Sequence, residues 1–160
     1  MGEFSMEGTL VEQVEALVGP WEGSMERRYC HLANVSALLW EYFEMINWVG
    51  FYVREIGKEH LILGPFQGKV ACTDIAFERG VCGKAATTRK SQNIADVHLF
   101  PGHIACDEAS RSELVIPILD KENMLVALLD VDSPLKDRFS EEDQRVLESV
   151  ALALSERLWS

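Results

Sequence analysis

Three stretches of the chain carry apolar residues at helical spacing. The first follows a Thr-x-x-Glu capping box at residues 9–12 and ends at a Gly-Pro pair at residues 19–20. The second covers residues 25–43, and the third follows a Ser-x-x-Asp motif at residues 140–143. Because each apolar stripe recurs every three to four residues, the pattern predicts two N-terminal amphipathic helices and one C-terminal helix.

The central part of the chain carries the patterns of strands and turns. Runs of apolar and β-branched residues, bounded by Gly, Pro, Asp or Asn, predict short strands. The predicted strands cover residues 48–55, 60–63, 70–73, 91–94, 113–119 and 124–132. The Gly-Pro pair at 64–65 is expected to end the second strand, and the Gly-rich stretch 80–83 to form a loop before a short helix at 84–89.

The last predicted hairpin is apolar on both faces, since residues 114–119 show no polar alternation. Strands of this kind lie centrally in a sheet that is covered on both sides. Because short turns join most neighbouring strands, we expect an α+β domain with a central, mostly antiparallel sheet of about six strands. The N- and C-terminal helices are expected on one face. A loop-rich ligand pocket, including the long segment 96–112, is expected on the other.

The charge composition of the chain excludes some classes of binding partner. The chain has 160 residues, and its 15 Lys and Arg against 26 Asp and Glu give a net charge of −11. This acidic excess argues against binding to nucleic acid or to an anionic membrane surface. Neither a membrane-spanning run nor a secretory signal is present, so we expect a cytoplasmic protein with reduced cysteines. Residues 1–5 resemble a cloning remnant, and a single domain is expected over residues 6–160.

Three carboxylates are predicted to meet at one end of the last hairpin. Asp130 and Asp132 are two residues apart on a strand, so both point to the face that also carries Val126 and Leu128. Glu113 begins the partner strand near the same end. Carboxylates crowded against apolar surface raise one another's pKa, so that one can hold a proton near neutral pH. The alternative is that Asp132 caps the Ser-Pro turn that follows it.

Two aromatic residues are candidates for a pocket wall. Trp48 and Tyr52 lie four residues apart on one predicted strand and therefore share a face. The alternative is that both belong to the core, as single aromatic residues usually do.

The four cysteines divide into one helical residue and three others. Cys30 lies inside the second predicted helix and is interpreted as a small buried hydrophobic residue. Cys72, Cys82 and Cys106 lie in predicted loops or at strand ends, which favours a thiol relay with one nucleophile and one or two resolving cysteines. Such a relay requires Cα atoms within about 7 Å for a disulfide to close.

Two other chemistries stay open for the same region. His98 and His103, with Cys106 and one of the other two loop cysteines, would make a zinc site, although their spacing matches no standard zinc signature. Asp96 and His98 would complete a Cys-His-Asp nucleophile triad, but sequence alone does not give the geometry that a triad needs.

Several motifs between residue 47 and about residue 143 carry a family resemblance. They are NWVGFY at 47–52, LGPFQGKVAC at 63–72, GVCG at 80–83, DVHxFPGHIACD at 96–107, SxSE at 110–113, LDVDS at 129–133 and RFS at 138–140, where x marks a position outside the match. Together they resemble the free methionine-R-sulfoxide reductases, which are single GAF-type domains. The three cysteines and the FPGHIACD loop are the specific part of this match. The resemblance implies a GAF-like fold.

The resemblance also implies a role for each of three cysteines. Cys106 resembles the catalytic cysteine, which attacks the sulfoxide sulfur and becomes a sulfenic acid as methionine leaves. Cys72 resembles the principal resolving cysteine, which then forms a disulfide, and Cys82 resembles a third cysteine that can resolve instead. Thioredoxin is the implied reductant, and no metal or organic cofactor is implied.

The remaining candidates match the substrate pocket of that family. Glu113, Asp130 and Asp132 resemble its carboxylates, and Trp48 and Tyr52 resemble its aromatic residues. Free methionine sulfoxide suits this set chemically: its oxygen needs a proton, its ammonium needs a carboxylate and its methyl group needs an apolar wall. The alternative function is a non-catalytic GAF-type module that senses a small molecule. A homodimer stays open, because the terminal helices could pair across two chains or cap one sheet.

Overall fold

The computed structural model describes residues 8–20, 23–102 and 109–160. Its helices are α1 (Leu10–Val18), α2 (Met25–Tyr42), α3 (Gly80–Thr88) and α4 (Glu141–Leu158), and a short 3-10 helix covers Val97–Leu99. Its strands are β1 (Trp48–Arg54), β2 (His60–Gly68), β3 (Asp74–Ala76), β4 (Gln92–Ile94), β5 (Ser112–Leu119) and β6 (Leu125–Ser133).

Side-chain caps begin the first and last helices as the sequence predicts. Thr9 and Glu12 form a reciprocal capping box at α1, and Ser140 and Asp143 do the same at α4. Each box satisfies backbone N–H groups that have no partner inside the helix. Gly19 ends α1 with a φ of 63°, a left-handed value that glycine adopts without strain.

The six strands form one antiparallel sheet in the order β3-β2-β1-β6-β5-β4. The expected α+β architecture is confirmed. The strands β1, β6 and β5 lie at the centre, which explains why the last hairpin is apolar on both faces.

Helices α1, α2 and α4 cover one face of the sheet, called the helix face below. Its core is formed by alternate residues of the central strands, such as Val49, Phe51, Leu129 and Val131, packed against apolar helix residues such as Leu154. Helices α1 and α4 pack on each other within one chain. The terminal helices therefore cap the sheet, and a homodimer stays a prediction.

The opposite face, called the pocket face, carries α3 and a second apolar cluster. Trp48, Tyr52, Val115 and Leu128 belong to this cluster with buried residues of α3. The two faces use alternate residues of the same strands because successive side chains in a strand point to opposite sides.

The prediction that Gly64-Pro65 ends β2 is wrong, because the strand continues to Gly68. The pairing of β1 with β2 shifts between Gly50, opposite Phe66, and Tyr52, opposite Leu63. The Gly-Pro pair therefore lies at an irregularity where two residues face one, a bulge that bends the strand without ending it.

The predicted strand over residues 70–73 is also wrong, since the third strand is Asp74–Ala76. The segment before it serves the pocket face instead, because the carbonyl of Lys69 accepts a hydrogen bond from Trp48 and the carbonyl of Cys72 accepts one from Tyr52.

Helix α3 begins at Gly80, so the predicted loop over 80–83 is the first turn of a helix. A Cβ atom on Gly83 would lie 2.7 Å from the carbonyl oxygen of Phe77. Glycine at this position thus permits close packing of the helix, a use that a loop reading of glycine overlooks.

The predicted sheet face of Val126 and the predicted burial of Cys30 are both wrong. Val126 packs with the helix face and does not share the face of Leu128, because a register shift between Ile118 and Leu119 makes a bulge in the β5–β6 hairpin. Cys30 is an exposed free thiol on α2, because it lies outside the apolar stripe formed by residues such as Leu32.

Across the described ranges, no helix combines the length and apolar character needed to cross a membrane.

Candidate active site

The sheet register places the predicted pocket residues on neighbouring central strands. Trp48 on β1 pairs with Asp132 on β6, which also pairs with Glu113 on β5. Two residues along the same strands, Gly50 pairs with Asp130. Directly opposite residues of antiparallel strands point to the same face, so the two Asp side chains and Glu113 meet on the pocket face.

A small cavity of about 50 Å³ lies over this row. Its lining brings together Trp48, Tyr52, Val70, Ala71, Ile75, Arg79, Gly80, Val81, Cys82, Ser110, Glu113, Asp130 and Asp132. Six of the eight residues predicted from sequence as site residues are in this lining. The other two are Cys72, whose neighbour Ala71 lines the cavity, and Cys106, which lies outside the described residues.

Three aromatic rings form one wall of the site. Trp48 stacks between Tyr52 and Phe66, with ring centroids 5.9 and 5.2 Å apart. Gly50 makes room for this arrangement, since a Cβ atom there would lie 2.3 Å from Cβ of Phe66. Trp48 Nε1 also donates a hydrogen bond to the carbonyl of Lys69 at 3.1 Å. The wall is therefore fixed by stacking, by a hydrogen bond and by close backbone approach.

Two of the carboxyl groups are almost completely buried. Glu113 is 7% exposed and Asp130 is 4% exposed. Burial is the first cause that raises the pKa of Glu113 well above its ordinary value, and the charges of Asp130 and Asp132 add to it. Burial also raises the pKa of Asp130 to about 6, while hydrogen bonds from Glu113 and Cys82 act in the opposite direction. At neutral pH the pair can therefore hold one proton on Glu113 beside an ionised Asp130.

One carboxylate oxygen of Asp130 has unsatisfied hydrogen-bonding capacity. Its Oδ1 atom is buried and has no hydrogen-bond partner among the described residues, whereas its Oδ2 atom lies 3.5 Å from Cys82 Sγ. A buried carboxylate oxygen without a partner is costly. A polar ligand in the cavity would satisfy it.

Cys82 lies in the first turn of α3, directly beside the carboxyl pair. Its thiol is buried and free, and it lies 3.5 Å from Asp130 Oδ2 and 3.9 Å from Glu113 Oε1. Burial, followed by the charges of Asp130 and Glu113, raises the pKa of this thiol well above its ordinary value. Cys82 therefore stays protonated and donates to Asp130.

Cys72 lies in the segment between β2 and β3 and is disulfide-bonded. The hydroxyl of Tyr52 donates a hydrogen bond to the carbonyl of Cys72 at 3.2 Å. Burial, reinforced by the charge of Asp130, raises the pKa of Tyr52. The hydroxyl therefore stays protonated and acts as the hydrogen-bond donor. The pocket wall and the cysteine segment are thus joined directly.

The contacts of Asp96 give no support to a Cys-His-Asp triad. The carboxylate of Asp96 accepts from the backbone N–H of His98 at 3.1 Å and forms ion pairs with Arg111 and Lys136 at 3.3 and 3.4 Å. Asp96 therefore caps the short 3-10 helix and joins the two ends of the segment that carries Cys106.

Only one group among the described residues has the donor atoms of a metal site, namely Cys82, Glu113 and Asp130, within 4.8 Å of one another. A metal ion there would have to displace the protons of the thiol and of Glu113. The zinc set predicted around His98 includes His103 and Cys106, which lie outside the described residues.

Sequence reasoning assigned no role to two residues that shape the site. Phe66 lies beyond the predicted end of β2, so the sequence pattern gives no sign of its stacking on Trp48. Ser110 lines the cavity and donates a hydrogen bond to Asn47 Oδ1 at 3.4 Å. Asn47 and Ser110 are the first residues of the motifs at 47–52 and 110–113, and this position is the signal that could have identified them.

Comparison with known proteins places these features in a family. Residues 27–158 match the GAF domain family. Free methionine-R-sulfoxide reductase of Escherichia coli is 50% identical over 127 residues, which are 79% of this chain and 75% of that protein. Free methionine-R-sulfoxide reductase of Saccharomyces cerevisiae is 42% identical over 148 residues, which are 88% of this chain and 82% of that protein.

A solved structure agrees with the sequence comparison. The X-ray structure of free methionine-R-sulfoxide reductase from Neisseria meningitidis in complex with its substrate superposes with a TM-score of 0.86 and 38% identity. The match covers 94% of this chain and 86% of that chain.

Proposed function

We propose that this chain, which belongs to the GAF-domain family, reduces the R epimer of free methionine sulfoxide to methionine. The observation that carries the proposal is the buried Glu113–Asp130 pair, which can hold a proton beside a thiol site and an aromatic wall. The identity of 42–50% to two relatives named free methionine-R-sulfoxide reductase supports the same substrate.

The first chemical step is proposed to take place at Cys106. Its thiolate attacks the sulfoxide sulfur, the oxygen is protonated and passes to the cysteine sulfur, and methionine leaves as a thioether. The cysteine becomes a sulfenic acid, so that it is oxidised by two electrons as the substrate sulfur is reduced by two.

Glu113 is the proposed acid of this step. A sulfoxide oxygen is a poor acceptor of electron density unless it is protonated or strongly hydrogen-bonded, and a carboxyl group that keeps its proton at neutral pH supplies that proton. The raised pKa of Glu113 and its position in the cavity lining support this role.

The other lining residues are proposed to hold the substrate. Asp130 and Asp132 suit the ammonium group, because a charged donor prefers an ionised acceptor in an enclosed site. The rings of Trp48 and Tyr52 suit the methyl and methylene groups, because their stacked faces are apolar. This arrangement favours a free amino acid.

Cys72 is the proposed resolving cysteine. Its thiol condenses with the sulfenic acid, which forms a disulfide and releases water, and a dithiol protein of the thioredoxin type then reduces the disulfide to two thiols. The disulfide-bonded state of Cys72 and its link to Tyr52 support this assignment. Because thioredoxin keeps thiols reduced in the cytosol, we propose a cytoplasmic location for the protein.

The first test is turnover of racemic free methionine sulfoxide, with dithiothreitol and then with thioredoxin and its reductase. Chiral chromatography follows each epimer. We expect loss of the R epimer alone, and none with Cys106→Ser. The matched control is Cys30→Ser, which removes an exposed thiol of α2 and should leave turnover unchanged. Consumption of neither epimer with either reductant would overturn the enzyme proposal and favour the sensing module.

The second test addresses the acid. Glu113→Gln keeps the shape of the side chain but removes the transferable proton, so we expect kcat/KM to fall by roughly 10²–10⁴-fold, the usual contribution of general acid catalysis. Because glutamine at this position is neutral, the variant should stay folded. Unchanged kcat/KM in a folded variant would exclude Glu113 as the acid.

A further inference from the structure

Cys82 is buried against the carboxyl pair, whereas a resolving cysteine has to reach a sulfenic acid on another cysteine. Helix α3 places its thiol at the floor of the cavity, 5% exposed, against the carboxyl pair. Gly83 permits this placement, because the helix packs closely on the backbone carbonyls of residues 76 and 77. The thiol is therefore built into the polar centre of the site.

We propose that Cys82 is a positioning residue: its S–H group donates to Asp130 and thereby keeps the proton of the carboxyl pair on Glu113. Asp130 Oδ2 is the nearer acceptor, at 3.5 Å from Cys82 Sγ, whereas Glu113 Oε1 lies farther from the same sulfur, at 3.9 Å. Glu113 also hydrogen-bonds Asp130, so two donors converge on this one carboxylate. A carboxylate that receives two donors is favoured as the ionised partner, and the pair's remaining proton then belongs to Glu113.

The chemistry of the thiol argues against a resolving role. The thiolate is the nucleophile in disulfide formation, and burial beside carboxylates favours the thiol instead. The raised pKa of Cys82 agrees with this geometry. Cys82 is also a free thiol in a structure in which Cys72 is disulfide-bonded.

The other ionisable groups facing the pair come from three neighbouring elements. Tyr52 lies on β1 and Asp132 on β6, and Arg79 lies at the cavity lining just before α3. Among the described lining residues, Arg79 supplies the one cationic side chain. None of these groups is altered by substitution of Cys82, so a change in the titration of the pair reports on the thiol.

The test compares two variants and rests on the proposed function for its kinetic arm. Cys82→Ser keeps a hydrogen-bond donor, whereas Cys82→Ala removes it. We expect the serine variant to retain turnover with thioredoxin and to retain the pH profile of kcat/KM. Loss of a donor to a carboxylate raises the pKa of the pair, so the alanine variant should shift the profile upward by about 0.5–1 pH unit, equivalent to roughly three- to tenfold in the proton equilibrium.

The competing results are distinct. If Cys82 resolves the sulfenic acid, serine and alanine should lose thioredoxin-coupled turnover equally, and the proposal is overturned. If Cys82 only fills space, alanine should lower the rate without moving the pH profile, which also overturns it. Cys30→Ser is the matched control for removal of a thiol elsewhere.

An activity-independent measurement separates this inference from the proposed function. Infrared spectroscopy follows the C=O band of the protonated carboxyl as pH rises, and Glu113→Gln assigns that band. The band should persist to higher pH in Cys82→Ala than in the wild type and in Cys82→Ser. This result would support the role of the thiol even if methionine sulfoxide were not the substrate. Identical titration in all three proteins would overturn it.

Discussion

The two faces of the sheet differ although they are built from the same strands. On β6, Leu129 and Val131 point into a core that three helices cover, whereas Asp130 and Asp132 point into the cavity. Each apolar residue is next to a carboxylate in sequence, and the alternation of a strand sends them to opposite sides. The helix face buries mainly apolar side chains with a few hydrogen-bonded serines, such as Ser36, whereas the pocket face buries carboxyl groups that cost free energy to bury.

This difference separates stability from chemistry. Apolar burial on the helix face stabilises the fold by about 25 cal/mol per Å². On the pocket face, burial raises the pKa of Glu113 and Asp130 and leaves Asp130 Oδ1 without a partner among the described residues. The first face therefore offsets the cost of the second, a distribution that suits a preorganised site.

The largest expected effect on stability comes from the helix face. Leu129→Ala removes a fully buried side chain, so the free energy of unfolding should fall by about 2–5 kcal/mol in chemical denaturation. Because Leu129 points away from the cavity, kcat/KM of the folded fraction should stay unchanged. The matched variant is Leu128→Ala, equally buried but on the pocket face opposite Tyr52. It should cost similar stability and also raise KM; equal kinetic effects of the two variants would contradict the separation.

Substitution of the buried carboxyl group of Asp130 should change the free energy of unfolding by a similar or smaller amount, but should raise it. Burial raises the pKa of Asp130 from its ordinary value of 3.8 to about 6. Between these pH values the folded state binds more protons than the unfolded state, so the group lowers stability as pH rises through this window. Asp130→Asn should remove this loss, worth up to about 3 kcal/mol at pH 7, and should leave stability near pH 3.5 little changed.

Urea denaturation at several pH values measures this prediction for Asp130. The stability difference between variant and wild type should grow from about pH 4 to pH 6 and then level off. A difference that is the same at every pH would show that the carboxyl does not titrate as the burial implies. Turnover should fall in the same variant, which sharpens the contrast with Leu129 on the helix face.

The smallest expected effect comes from removing one hydrogen bond on the pocket face. Tyr52→Phe removes the hydroxyl that donates to the carbonyl of Cys72 and should lower the free energy of unfolding by about 0.5–1.5 kcal/mol. Because the ring itself stays stacked on Trp48, KM should change little. Stopped-flow measurement of disulfide formation should show slower resolution, since the Cys72 segment loses its tether. An unchanged resolution rate would mean that the hydroxyl does not position that segment.

Several features of the fold were predictable because they depend on neighbours in sequence. Capping boxes at Thr9 and Ser140 act over three residues, and the shared face of Asp130 and Asp132 follows from strand geometry. The position of Glu113 near them follows from a simple hairpin, and the observed pairing with Asp132 agrees. These predictions needed no information about packing.

The errors arose where long-range packing overrides a local signal. Gly64-Pro65 is a typical strand terminator, yet pairing with β1 on one side carries the strand across it as a bulge. Gly80 and Gly83 are typical of loops, yet α3 uses the missing Cβ of Gly83 to pack closely on the backbone near Phe77. The exposure of Cys30 depended on where the apolar stripe of α2 meets the sheet.

The sequence by itself determined the strand alternation, the helix caps and the inventory of carboxylates, aromatic rings and cysteines, because these depend on residue type and on spacing over a few positions. Only the tertiary structure decided that Cys82 faces Asp130 and Glu113, which lie 48 and 31 residues away in the chain. Whether a thiol resolves a sulfenic acid or positions a proton depends on its burial and neighbours, and those are set by packing across the whole domain.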